Sequence, residues 1–583
     1  MKKLSYLLIL FLALTLGACS QEPEPEDLGL YRAYKMVDNR EQWGFIDERG
    51  KFKIKPKYSQ VGDFDSGLAL VESDGLFGLI NTEGLEILKP EFSKISPINE
   101  GYFVAYRDKG ARIFNSQGPI NLDKDYSNIG RYSDGCFTVV DYSEEEGSKF
   151  GYIDSQGREL IAPRYSQAFD FYKSRAIVKE DGKYKLIDKQ ARVKKELDVK
   201  SIRQSNEPGL YIFSRNMYDY GLMDQEGRVL VPAKYSSIVE VREDLLVVGE
   251  TRKGVEQFGV LDRTGKRIVA SNYDDIRLLG QGYIGISKEI GLMNKPIYEL
   301  IDRRGERLTK DKYYNVGGYE ASVGRGEISV STGLTSYLID LEGRRLTSAP
   351  SEPGYGEIRR MGRVFRSLVE DELVYYNMEG EIIWEADRRF LIDESRELVE
   401  KKIAGEGWLH ISYPHLIGFS NREVQNTINS RLKEEFSSWS GEKNLREDFT
   451  YYKTSYQVQL RGQILTIERN LNCLVKGSDQ EIFSKAIYNI DLETGDFYRL
   501  EDLMEGDHYP DLNQLLASRL GLEDSGFRPL NENTYFKIQE DNIYFILEYR
   551  NKEGLVTGYK EVDFSLEEVA GILDLSREFF TKI

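Results

Sequence analysis

An eight-residue stretch, WGFIDERG (Trp43 to Gly50), recurs along the chain, and its recurrence constrains the fold more than any other feature. It returns as FGLINTEG from Phe77, ARIFNSQG from Ala111, FGYIDSQG from Phe150, YKLIDKQA from Tyr184 and YGLMDQEG from Tyr220. FGVLDRTG from Phe258, YELIDRRG from Tyr298, SYLIDLEG from Ser336 and the more divergent LVYYNMEG from Leu373 complete ten copies. Their spacing, roughly 34 to 40 residues, is that of propeller blades and solenoid turns. A unit this short cannot bury its own faces, so it must stack on its neighbours.

Each motif position has a physical reading. The third and fourth residues are apolar in all ten copies, as a strand buried on both faces requires. The fifth is always Asp or Asn, and the eighth is Gly in every copy but the fifth, where Ala191 stands. Asp or Asn opening a turn and Gly closing it three residues later predicts a tight hairpin with a left-handed Gly. The pairs Asp47 and Gly50, Asp154 and Gly157, Asp224 and Gly227, Asp262 and Gly265, and Asp302 and Gly305 are therefore read as structural turns, not as catalytic or calcium-binding carboxylates. Glu48 and Arg49 form a turn tip that varies between copies. Eight residues past the Gly stands an aromatic in seven copies: Tyr58, Phe92, Tyr126, Tyr165, Tyr235, Tyr273 and Tyr313. Several follow a proline, as in PKY and PRY, and these rings are expected to pack one unit against the next. The segment LYRAYKMVDN (Leu30 to Asn39) looks like a strand left over from a preceding unit, which closure of a ring by strand exchange would use.

The arrangement of aromatic-Gly, apolar pair, Asp-x-x-Gly and Pro-x-aromatic resembles the WG (or KWG) repeat of bacterial surface proteins over roughly residues 30 to 387. The resemblance implies a propeller-like β-array used for binding, with an open arc or a solenoid as alternatives, and it supplies no catalytic residues. Trp stands only in the first copy; Phe or Tyr replaces it in most others.

The N-terminus MKKLSYLLILFLALTLGACS has two lysines, an apolar run and small residues, the order of a secretory signal. Leu16-Gly17-Ala18-Cys19 resembles the lipobox of bacterial lipoproteins. That implies cleavage between Ala18 and Cys19, lipidation of Cys19, and an extracytoplasmic protein held to the membrane by lipid. Residues 1–18 are then the signal peptide and 19–29 a polar tether.

Past about residue 390 the repeat stops. The mainly β array is expected to give way, through a linker at 388–403, to an α+β domain at 404–583. FSNREVQNTINSRLKEEF (Phe419 to Phe436) reads as a helix capped by Ser420 and Glu423, with Val424, Ile428, Leu432 and Phe436 as its core stripe. Strand-like runs follow, with a second helix near Pro510 to Leu520 and a capping box at Ser565 and Glu568. The segments ISYPHLIGFSNREVQNTIN and YNIDLETGDFYRLEDLM resemble an exported domain found beside peptidoglycan deacetylases and in lysozyme-sensing anti-sigma factors. The resemblance implies recognition at the cell envelope. Relatives carry a Gly-x-Ala-His segment where this chain reads FSKAIYN, so a function resting on that histidine does not transfer.

Several chemistries are disfavoured. A net charge of -18 opposes nucleic-acid binding, which needs a basic surface. Only His410, His415 and His508 could serve a zinc site or a triad, and His410 and His415 are not spaced for one helix face, so no metal site is assigned. Cys136 and Cys473 lie in different domains and are not expected to pair. GQGYIG (Gly280 to Gly285) lacks the following helix that a dinucleotide site needs. Ser430 and Lys433 lack companion motifs, and SEEEG (Ser143 to Gly147) reads as a solvated loop. The reading is a non-catalytic surface lipoprotein, without cofactor, that binds protein or cell-wall glycan. The alternative is a peptidoglycan-acting envelope enzyme or an accessory to one.

Overall fold

The computed structural model describes residues 29–583 apart from positions 38, 108–109, 116–117, 292–294, 318–325, 405–407, 438–448, 476–480, 521–528 and 551–555. Ala18, Cys19, the signal peptide and nearly all of the tether lie outside the described residues. No helix among the described residues is long and apolar enough to cross a membrane.

The chain is mainly β and rich in repeats. From Tyr31 to Glu385 its described residues form ten small antiparallel sheets, eight of four strands and two of three. Each sheet is a meander of contiguous chain. The second shows the pattern: Gln60–Val61, Leu68–Ser73, the motif strand Leu76–Asn81, and Glu86–Phe92. This sheet thus begins two strands before its motif strand and ends on the Pro-x-aromatic strand. In the first sheet, Tyr31–Val37 pairs along its whole length with Arg40–Ile46. It is the partner of the first motif strand, not a remnant awaiting exchange into the tenth sheet.

Six of the ten motif strands have three or more consecutive buried residues, as Gly44, Phe45 and Ile46 show in the first. A strand covered on both faces is what sheets stacked face to face produce. Ten hydrophobic clusters provide that cover, each shared by two sheets adjacent in sequence order or by the two terminal ones. Tyr58 packs with Phe45 and Ile54 of its own sheet and with Val71 and Ile80 of the next, and Tyr165 repeats the pattern against Phe171 and Val178. The terminal cluster joins Tyr31, Ala33 and Ile46 of the first sheet to Val364, Leu373 and Tyr375 of the tenth.

Beyond the tenth sheet lies a seven-stranded sheet, built in order from Phe390–Leu391, Glu397–Ala404, Trp408–Ile417, Phe449–Arg461, Ile464–Val475, Glu481–Asp491 and Phe497–Tyr498. Residues 388–403, expected as a linker, therefore already carry strands of this sheet. The charged run ELVEKKIA hides a strand whose Leu398 is buried in the core. The pairing of Trp408–Ile417 with Phe449–Arg461 is parallel. A parallel pair needs a crossover, and helix Arg422–Ser437 supplies it. Its stripe Val424, Ile428, Leu432 and Phe436 lies in the core on one face of the sheet. The helix entry differs from expectation: Asn421, not Ser420, accepts from the backbone N–H of Glu423 and Val424. A three-stranded sheet (Tyr535–Gln539, Asn542–Arg550, Val556–Ser565) and helix Tyr509–Leu520 complete the domain around a second core. At Ser565 the capping box with Glu568 forms, over a helix of only four residues.

Candidate functional site

The recurring acids are engaged by their own turns. Asp47 Oδ1 accepts from the backbone N–H of Arg49 at 2.9 Å and of Lys51 at 3.0 Å. The same pair of bonds forms at Asp154, Asp224, Asp262 and Asp302. Burial works against the charge of Asp47, Asp154 and Asp302, but these N–H donors and neighbouring cations outweigh it and hold the carboxyls below their usual range. Gly50, Gly157, Gly227, Gly265 and Gly305 all have φ between 67° and 84°, the left-handed region. Each turn belongs to a different sheet, and no two of these carboxylates are paired.

The three histidines are not brought together. His410 and His415 share one strand, and His508 immediately precedes helix Tyr509–Leu520, where Asp511 meets its Nδ1 at 3.1 Å. Burial pushes His410 and His415 down from the ordinary imidazole range. Cys136 and Cys473 are buried and not joined in a disulfide, and burial pushes the Cys136 thiol up to about 12. No group of three or more His, Cys, Asp or Glu suited to a metal occurs among the described residues. Gly280 to Gly285 spans a turn between two strands of the eighth sheet.

Two hollows remain. The smaller, about 210 Å³, lies where the first and tenth sheets meet and is lined by Arg32, Tyr34, Trp43, Arg366 and Arg388. Its cations are occupied: Arg366 donates to Asp63 at 2.9 Å, Arg32 lies 3.5 Å from the same carboxylate, and Arg388 donates to Asp371 O. This hollow is part of the contact between the sheets.

The larger, about 390 Å³, lies on the face of the seven-stranded sheet opposite helix Arg422–Ser437. Alternation along three long strands builds its floor. Register places Lys453, Asn472 and Phe483 in one row across the strands, and Ser455, Asn470 and Lys485 in the next. The buried Tyr451 and the partly exposed Tyr559 complete its lining. Tyr451 also packs against Tyr314 and Tyr355 of the array, so the groove adjoins the contact between the two domains.

Its charges are balanced. Lys453 meets Glu370 of the tenth sheet at 2.7 Å. Lys485 and Lys537 share Glu468 and Glu561, at 2.5 to 3.2 Å. Burial penalises the Glu468 carboxylate, but the hydrogen bonds from Lys485 and Lys537 prevail and keep it ionised. Asn472 Oδ1 is buried and has no hydrogen-bond partner among the described residues. A buried acceptor left unpaired is costly and calls for a donor. Sequence reasoning did not single these residues out. Their signal was the polar alternation Glu468, Asn470, Asn472 within ILTIERNLNCLV, one face of a strand whose other face is apolar.

The family model described as "WG containing repeat" matches residues 43–77, 77–109, 150–184 and 220–250. No curated protein matches. Among solved structures, a DUF3298-family protein from Bacteroides fragilis is 17% identical, with 32% of this chain and 96% of that one covered and a TM-score of 0.25. A DUF3298-family protein from Pseudomonas aeruginosa is 12% identical, covering 31% and 95%, at a TM-score of 0.23. KlHsv2 with its loop 6CD replaced by a Gly-Ser linker is 12% identical, covering 41% and 89%, at a TM-score of 0.26. Scores this low bear on neither fold nor function.

Proposed function

We propose that this chain is a non-catalytic binding protein, lipid-anchored through Cys19 outside the cytoplasmic membrane, and that the groove on its C-terminal sheet holds the ligand. The observation that carries the reading is the groove itself. It is recessed, sets polar side chains within a largely apolar lining, bears an unsatisfied acceptor at Asn472, and its lysines are neutralised by carboxylates. Such lining recognises a ligand by side-chain hydrogen bonds and ring contacts. The ten sheets act as scaffold, and we read them as a closed ten-bladed propeller. The cluster joining the first and tenth sheets supports closure, as does the Tyr375 hydroxyl donating to Arg32 O at 3.0 Å.

The ligand class at this level is protein or cell-wall glycan. The full chain displayed on cells is expected to capture cell-wall fragments or a secreted protein, and loss of the groove row by Asn472→Leu with Phe483→Ala is expected to abolish capture. Hydrolysis of purified cell wall by the full chain, lost on substituting one acid, would instead establish the enzyme reading. Anchoring is tested by Cys19→Ala, which is expected to prevent incorporation of labelled fatty acid and release the chain from the membrane fraction.

A further inference from the structure

We propose that the groove takes an uncharged oligosaccharide, laid over the rows Lys453–Asn472–Phe483 and Ser455–Asn470–Lys485. The proposal rests on the binding-protein reading and narrows it to one ligand class.

Four observations converge. The first is charge. Lys453, Lys485 and Lys537 are each within 3.2 Å of Glu370, Glu468 or Glu561. The cations are already compensated, and an anionic ligand would meet three carboxylates behind them. The second is the orphaned Asn472 Oδ1, which needs an O–H or N–H donor. Beside it, Asn470 and Ser455 offer both donors and acceptors, the pairing that hydroxyl groups satisfy. The third is the ring content. Phe483 is 49% exposed in the same row as Asn472, and Tyr559 also lines the groove. Flat apolar faces next to amides suit a molecule with a C–H face and hydroxyl edges. The fourth is topology. The floor is the face of a sheet, where backbone N–H and C=O groups are spent on neighbouring strands. A peptide that adds to a sheet needs a free edge, and this groove presents none. The volume, about 390 Å³, lies within the range of small-ligand sites.

The test is calorimetric titration of the full chain with chitotriose, cellotriose, trigalacturonate and an extended tripeptide. A neutral trisaccharide is expected to bind, and trigalacturonate and the tripeptide are not. Asn472→Leu removes the orphan at similar volume, and Phe483→Ala trims an exposed ring, so both are expected to keep the thermal midpoint. Each is expected to weaken binding by about tenfold or more. Should Asn472→Leu fail to fold, Phe483→Ala carries the test. Failure of both neutral sugars to bind at millimolar concentration, tighter binding of trigalacturonate, or undiminished binding by the variants overturns the proposal. Capture of an envelope protein that survives both substitutions would sink the groove assignment while leaving the binding-protein reading intact. Binding of free trisaccharide without capture of any envelope material would do the reverse.

Discussion

At the scale of the residue, one repeat position shows how tightly geometry governs choice. The eighth motif residue is left-handed in each copy described, and in the fifth copy Ala191 holds that conformation at φ 59°. An L-residue there is strained by about 1–2 kcal/mol, which Gly avoids. Ala191→Gly is expected to raise stability by about 0.5 kcal/mol, because the relief exceeds the added chain entropy and the lost methyl contact. Calorimetric melting of the two chains checks this. The motif acid carries a pH signature as well. Asp154 is held below its usual range: the turn N–H groups and Arg158 outweigh burial. Its folded pKa lies under its unfolded one, so its contribution is present at neutral pH and is lost as pH falls through the folded value. Asp154→Asn keeps the turn acceptor and loses the charge. The stability gap between it and the parent, open at pH 7, is expected to close below about pH 4. A gap that persists in acid would refute the assignment.

At the scale of the element, the Gly of the WG pair and the bulge of the outer strand are two parts of one device, with a proline at the bulge in several copies. In the fourth sheet, Phe150 pairs with Tyr165 and Tyr152 with Ile161, so only Gly151 faces the stretch between Ile161 and Tyr165. The outer strand bulges toward it, and a Cβ at Gly151 would lie 2.5 Å from Ile161 O and 2.6 Å from Pro163 N. Gly44, Gly78, Gly221 and Gly259 stand in the same relation to their outer strands. The fifth copy confirms the coupling by its absence. Lys185 replaces the Gly, the outer strand has no proline, and Tyr184, Lys185 and Leu186 pair in unbroken register with Leu197, Glu196 and Lys195. Gly151→Ala is therefore expected to cost roughly 1–3 kcal/mol, since backbone atoms must move. Denaturant unfolding measures it. In the C-terminal domain, Asn429 clips helix to sheet by accepting from Leu416 N at 2.7 Å and donating to Leu416 O at 2.9 Å. Asn429→Ala leaves both backbone groups buried and unpaired, with an expected loss of about 2–3 kcal/mol by the same measurement.

At the scale of the whole molecule, the contact between the first and tenth sheets decides whether stability is local or shared. Asp63 of the second sheet's segment faces both Arg32 of the first sheet and Arg366 of the tenth. Arg366 is mostly buried, so Asp63→Ala strands its charge, at a cost of about 2–3 kcal/mol. In a closed ring, amide exchange is expected to speed up in the first, second and tenth sheets together. Acceleration confined to the first two sheets would indicate an open arc. The same end of the array also holds the C-terminal domain. Asn39 exchanges two hydrogen bonds of 2.9 Å with Leu391, and Lys453 reaches Glu370. The second domain thus spans the place where the first and tenth sheets meet.

The repeat, its turns and its inter-sheet aromatics were legible in the sequence because each rests on local chemistry: an acceptor that closes a turn, a left-handed Gly, an apolar pair on a strand covered twice. Ten recurrences made that chemistry visible against the variation at positions such as Glu48 and Arg49. The groove was not legible. Asn470, Asn472, Lys485 and Phe483 are unremarkable in order along the chain, and Glu370 lies about eighty residues before Lys453. They become a site only when strand register sets them in rows and packing of the tenth sheet supplies the counter-charge. Nor could the sequence assign Tyr31–Val37 to the first sheet, since a strand's partner is chosen by the face it buries against, and that face belongs to the assembled array. Local geometry wrote the unit into the sequence; long-range pairing and desolvation, which act only in the folded chain, decided which units meet and where a ligand could be held.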